Sequence, residues 1–170
     1  MPIIMDEKYD VTKLRAGYEI LFSGTVYTAR DAGHKRIVET LAKGEPLPFP
    51  LQGSAIYYAG PTPTKKGEII GSCGPTTSAR MDDYTPTLLD NGLKIMIGKG
   101  NRSSAVIQSM INNGAVYLIA VGGAGALIKS KITACEDVAY LDLGCEALRK
   151  LTVKDIPLLV GIDCKGKSIL

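Results

Sequence analysis

The sequence predicts a single α/β domain over residues 1–170, and three observations predict it. Short β-type apolar runs alternate with amphipathic helical patterns, with no internal repeat or low-complexity tract. The length of 170 residues suits one compact unit, able to bury ~68–70% of its unfolded surface without disulfide or metal staples. Hydrophobic residues at 45% and charged residues at 22% are ordinary for a globular chain, which excludes disorder and collagen-like architecture.

Taken in order, strands are expected at residues 18–26, 54–59, 67–71, 93–97, 116–121, 138–141 and 158–163. A helix is expected from Thr28, where Thr-Ala-Arg-Asp makes a capping-box-like start and Ile37, Val38 and Leu41 mark one apolar face. Residues 41–53 carry Gly44, Pro46, Pro48 and Pro50 and read as an extended surface loop. Thr85-Pro86 reads as an N-cap followed by Pro at the first helical position. From about residue 102 to 113 a further helix presents Val106, Ile107, Met110 and Ile111, and Gly114 stops it. The apolar run 115–128 contains Gly122, Gly123 and Gly125; it falls short of the ~20 residues that span a bilayer and reads as strand, turn and helix start. These signals leave the sheet topology open.

Charge and cysteine usage narrow the function classes. Lys+Arg number 20 against 17 Asp+Glu, a net charge of +3, so binding nucleic acid through bulk charge is disfavoured while a local basic patch stays open. Cys73, Cys135, Cys145 and Cys164 form no CxxC pair and lie far from the single histidine, His34. That spacing does not suit a closed zinc or ferredoxin-type site. Asp6 and Glu7 interrupt the start before any signal-type apolar run, so a cytoplasmic chain with reduced thiols is expected.

Three segments share one design: a strand, a turn rich in glycine and hydroxyls, then a helix start bearing a cation. They are residues 24–36 with Arg30, residues 71–82 (GSCGPTTSARMD) with Arg80, and residues 98–104 with Lys99 and Arg102. Helix N-termini offer unpaired N–H groups to anions, glycine admits a ligand close to the backbone, and arginine matches a carboxylate with its planar fork. Three such loops at one edge suit a small molecule with two carboxylates. Any one of them alone also reads as an ordinary capped helix with a solvated arginine. A nucleotide site is less well supported, because Gly98-Lys-Gly-Asn-Arg-Ser lacks the third glycine of GxGxxG and no GxxxxGK[ST] occurs. His34, three residues beyond Asp31, reads either as a base or as a hydrogen-bonded structural histidine. Cys73 reads as a packing residue or as a thiol activated at a helix N-terminus. Tyr57 and Tyr58 read as core, with one hydroxyl reaching the site.

On these stretches, together with residues 21–36, 56–61, 92–100 and 117–123, the chain resembles the β subunit of two-subunit class I fumarases and L(+)-tartrate dehydratases. That subunit is equivalent to the C-terminal domain of the single-chain enzymes. The resemblance implies a swivelling β/β/α fold and a hydro-lyase acting on a C4 dicarboxylate: fumarate with L-malate, favoured here, or L-tartrate giving oxaloacetate. It implies a 4Fe–4S cluster held by a partner α subunit and none held by this chain, the cluster iron acting as a Lewis acid. It implies Arg30, Arg80, Lys99 and Thr77 as substrate-binding residues and Thr76 as the proton-transfer residue. A free threonine hydroxyl is a poor base, so Thr76 needs a neighbouring proton acceptor. Thr77 and Ser78 also read as cap or oxyanion-type donors, and Asp31, His34 and Ser78 as supporting contacts behind the substrate-binding residues. The implied partners are the α subunit and the substrate, with no nucleic acid, no membrane, and a homodimer when the chain is isolated. The rivals are a stand-alone dicarboxylate- or anion-binding module and a thiol enzyme built on Cys73.

Overall fold

Alternation along the apolar runs sets the architecture. In the computed structural model, which describes residues 1–120 and 124–170, the strands are β1 (Ile3–Met5), β2 (Glu19–Thr28), β3 (Ala55–Tyr57), β4 (Ile95–Gly98), β5 (Val116–Ala120), β6 (Ile132–Ala139) and β7 (Leu148–Ile162). The helices are α1 (Asp31–Ala42), α2 (Thr85–Asp90), α3 (Ser104–Asn113) and α4 (Ala124–Ser130). Ala55, Tyr57, Ile95, Ile97, Val116 and Leu118 point to one side of the sheet, where they join Phe22, Val26, Leu151 and Val160 in one buried cluster. The alternate residues Ile56, Tyr58, Met96 and Tyr117 point the other way and pack against Ile37, Leu88, Val106 and Met110 of the helices. Both faces of β3, β4 and β5 are therefore buried, which explains why they read as continuous apolar runs.

The sheet closes on itself. Its order is β1-β2-β3-β4-β5-β7-β6, and β2 also pairs antiparallel with β7 from Glu19↔Leu159 to Thr28↔Arg149. The ring β2-β3-β4-β5-β7 is thus barrel-like, with β1 and β6 as flanking strands. β2, β3, β4 and β5 run parallel, so their carboxyl ends meet at one edge.

Several expected elements are corrected. Residues 67–71 form no strand: Glu68 N–H donates to the Lys65 carbonyl in a turn, and only Ile70 and Gly71 of the five are buried. Of the run expected at 138–141, Val138 and Ala139 end the longer β6, of which only Ile132 is buried, while Tyr140 and Leu141 lead into a 3-10 turn. β7 begins ten residues before its expected start at Leu158, in a half where Arg149, Lys150 and Lys154 interrupt the apolar pattern. β1 is only three residues long, and β6 shows no alternation of buried and exposed residues, so neither gives a clear periodic signal. The expected end of the fifth strand at Val121, and Val121-Gly122-Gly123 of the 117–123 stretch, lie outside the described residues. Among the described residues, no helix is long and apolar enough to cross a membrane.

Candidate functional site

The three loops singled out in the sequence leave the carboxyl ends of β2, β3 and β4, the edge where parallel sheets expose helix N-termini and loop backbone to ligands. Each loop is built differently.

After β2, Thr28 does not cap the helix. Its buried hydroxyl faces the Ala147 carbonyl at 3.4 Å and accepts from Arg149 N–H at 3.2 Å, tying β2 to β7. Arg30 takes the N-cap position with extended backbone and no side-chain cap. Glu146, from the turn before β7, accepts from the Ala32 N–H at 3.3 Å and stands 3.9 Å from Arg30 Nε. His34 is fully buried; its Nδ1 lies 2.8 Å from the Arg30 carbonyl oxygen, and burial lowers its pKa to about 4. Arg30 Nε, Asp31 Oδ1 and His34 Nε2 are buried without a hydrogen-bond partner in the chain. Three buried polar atoms without a partner in the chain, within five residues, single out this helix start as a candidate site.

After β3, Tyr58 N–H donates to the Ile97 carbonyl and Thr76 N–H donates to the Tyr58 carbonyl at 2.7 Å. The excursion between them folds back at its base, where Thr62 and Ser72 exchange hydrogen bonds. Tyr57 Oη donates to the Cys73 carbonyl at 2.6 Å. The chain then meets β4: Thr77 and Lys99 form a parallel bridge, and Ser78 N–H donates to the Lys99 carbonyl at 2.9 Å. Thr77, at the start of the 3-10 turn Ser78–Met81, uses no side-chain capping bond, and Arg80 on that turn is exposed. Ser78 is fully buried, with its hydroxyl between Lys99 N and Tyr117 Oη. Cys73 sits in the core, where burial pushes its thiol up to about 12; the geometry favours the packing reading over the thiol enzyme.

After β4, Lys99 and Gly100 are exposed, and Ser103 caps α3 by accepting from Val106 N–H. Arg102, which the sequence presented as a further loop cation, is buried. Its Nε donates to Asp82 at 2.8 Å, its terminal nitrogens to Tyr58 Oη and Thr85 Oγ1, and its guanidinium lies over the rings of Tyr58 and Tyr117. Asp82 also accepts from Ser103 N–H at 2.8 Å. Thr85 is the first helical residue of α2 rather than its cap, and its hydroxyl donates to the Met81 carbonyl.

The second and third loops thus share backbone contacts at Thr77, Ser78 and Lys99. The first meets the second at Gly60, where an added Cβ would lie 2.9 Å from Arg30 Cδ. The exposed Arg80 and Lys99 and the half-buried Arg30, on three neighbouring loops beside hydroxyls and helix N-termini, suit the binding of carboxylates. A cavity of about 530 Å³ lies at the opposite edge between residues such as Tyr9, Gln52, Lys94 and Asn113. Among the described residues no group of three or more His, Cys, Asp or Glu side chains is placed to hold a metal ion.

Residues 3–170 match the family described as "Fumarase C-terminus". The chain is 39% identical to the putative L(+)-tartrate dehydratase subunit beta of Methanocaldococcus jannaschii, over 95% of this chain and 86% of that protein. It is 37% identical to fumarate hydratase 2 of Leishmania major, over 97% of this chain and 31% of that protein. With the aerobic class I fumarate hydratase of Escherichia coli it shares 41% identity over 86% of this chain and 27% of that protein. The chain therefore spans about a third or less of these fumarate hydratases and most of the tartrate dehydratase subunit.

Proposed function

Because the chain belongs to the fumarase C-terminus family, we propose that it is the β subunit of a hydro-lyase that reversibly hydrates a C4 dicarboxylate, with fumarate and L-malate favoured and L-tartrate within the same class. The observation carrying this reading is the placement of Arg30, Thr76, Thr77, Arg80 and Lys99 on loops at the carboxyl ends of three adjacent parallel strands. Arg30, Arg80, Lys99 and Thr77 neutralise and orient the two substrate carboxylates, converting a diffusing dianion into a fixed one. Thr76 carries the proton between substrate and solvent, with its acceptor supplied by the partner. Asp31, His34 and Ser78 hold the substrate-binding loops from behind.

The likeness to tartrate dehydratase beta subunits supports a site completed by an α subunit, which in this reading carries the 4Fe–4S cluster. The closed sheet with helices outside it is compatible with a swivelling β/β/α domain, whose closure over the partner would exclude water. The test is anaerobic co-expression with a candidate α subunit, assayed on malate, fumarate and both tartrate enantiomers. Turnover is expected only in the partnered preparation. Turnover by the isolated chain without partner or iron would overturn the two-subunit reading; dicarboxylate binding with no turnover in any partnered preparation would leave an anion-binding module.

A further inference from the structure

Behind the exposed Thr77 and Lys99 lies a buried polar circuit whose hydrogen bonds admit one direction. Tyr117 Oη, on β5, stands 2.8 Å from Ser78 Oγ and 2.9 Å from the Gly100 carbonyl oxygen, and Lys99 N–H donates to Ser78 Oγ at 3.1 Å. A phenol has one proton and a carbonyl can only accept. Both Tyr117 contacts are satisfied together when Tyr117 donates to Gly100 and Ser78 donates to Tyr117. The circuit then runs Lys99 N–H to Ser78 to Tyr117 to Gly100, beginning and ending on the same two-residue turn.

The turn needs this support. The bridge between Thr77 and Lys99 is isolated rather than part of a ladder, and Gly100 adopts a φ of 83°. Apart from the circuit, the backbone bond from Ser78 N–H to the Lys99 carbonyl holds it. Two further features fit Ser78 into place. A Cβ on Gly98 would collide with Ser78 Oγ and lie 2.7 Å from the Tyr58 ring, so glycine at the end of β4 admits the serine. The Arg102 guanidinium, 5.0 Å from the Tyr117 ring centre, packs against the phenol that closes the circuit.

We propose that Tyr117 is a positioning residue that acts through Ser78 to hold the turn at Lys99 and Gly100, and so places the Lys99 ammonium at the carboxylate-binding edge. The last step rests on the reading of Lys99 as a substrate contact. Hydrogen exchange of the Lys99 amide in the full chain tests the circuit without any activity. Tyr117→Phe and Ser78→Ala are each expected to speed that exchange at least about tenfold. Ser54→Ala, which removes a buried hydroxyl bonded to Leu51 at the opposite edge, is expected to lower Tm and leave Lys99 exchange unchanged. In the partnered enzyme, Tyr117→Phe is expected to raise KM for the dicarboxylate about tenfold with kcat within about threefold. Lys99 exchange unchanged in both circuit variants, or raised equally in Ser54→Ala, overturns the positioning role. Faster exchange with unchanged KM overturns the link to substrate. Absence of turnover in the unmutated partnered enzyme would defeat the hydro-lyase reading and leave the exchange result standing.

Discussion

The ring nitrogen Nδ1 of His34 lies 2.8 Å from the carbonyl oxygen of Arg30, which also accepts the His34 backbone N–H at 2.9 Å. A carbonyl accepts only, so Nδ1 carries the proton and Nε2 presents a buried lone pair with no partner in the chain. The imidazole therefore fixes the residue that bears the proposed substrate arginine, and it does so in the neutral form.

Stability is expected to fall in mild acid because of this histidine. Burial depresses its pKa from 6.5 to about 4, so the unfolded chain takes up a proton below pH 6.5 that the folded chain refuses until about pH 4. The stabilisation is complete above pH 6.5 and declines as pH falls through that window, the loss reaching on the order of 3 kcal/mol at its lower end. Urea unfolding at pH 7, 5.5 and 4.5 should show this decline, and His34→Gln should flatten it. Equal pH slopes for the two proteins would show that His34 is not the group responsible.

The fold is legible where burial on both faces leaves apolar runs, at β3, β4 and β5, and where a helix stop is local, at Gly114. It is not legible at β6 and the first half of β7, where Glu136, Asp137, Arg149 and Lys150 break the apolar alternation and where β7 also pairs with β2, far away in sequence. The site divides in the same way. Loops at the ends of β2, β3 and β4 announced themselves by glycine, hydroxyl and cation content. Arg102 was misjudged because its partners Asp82, Tyr58 and Thr85 come from other segments. Glu146 was missed because its contact with Ala32 joins residues 114 positions apart.

Arg80 and Arg102 should respond oppositely to substitution. Arg80 is exposed, so Arg80→Ala is expected to change stability by no more than about 0.5 kcal/mol, while removing most activity of the partnered enzyme. Arg102 is buried against Asp82, Tyr58 and Thr85. Arg102→Ala leaves the Asp82 carboxylate without its charge partner and should cost about 3–5 kcal/mol. Thermal unfolding of both variants beside the activity assay checks this. Full activity in Arg80→Ala would remove that arginine from the site.

The thiols should also separate cleanly. Cys145 is exposed, whereas Cys73 is in the core with its pKa raised to about 12 by burial. Iodoacetamide at pH 8 should label Cys145 in the native chain and reach Cys73 only after urea unfolding, as read by peptide mass spectrometry. Native labelling of Cys73 at the rate of Cys145 would restore the thiol-enzyme reading.

Gly60 and Glu146 constrain Arg30 from two sides, and changing them should move substrate affinity in opposite directions. An added Cβ at Gly60 would lie 2.9 Å from Arg30 Cδ and 3.1 Å from the Cys145 carbonyl oxygen. The carbonyl belongs to backbone and yields little, so Gly60→Ala pushes the arginine side chain from its seat. KM of the partnered enzyme should rise about tenfold, a loss of ~1.4 kcal/mol in binding. Glu146 places a carboxylate 3.9 Å from Arg30 Nε, in the field a substrate carboxylate would have to enter. Glu146→Gln keeps an oxygen that can accept the Ala32 N–H but removes that charge. The pair is 26% and 31% exposed, so stability should change by less than about 1 kcal/mol. With the competing anion gone, KM should fall. A rise in KM for Glu146→Gln would mean that the glutamate assists Arg30 in binding rather than opposing the substrate's charge. A fall for Gly60→Ala would remove Arg30 from substrate contact.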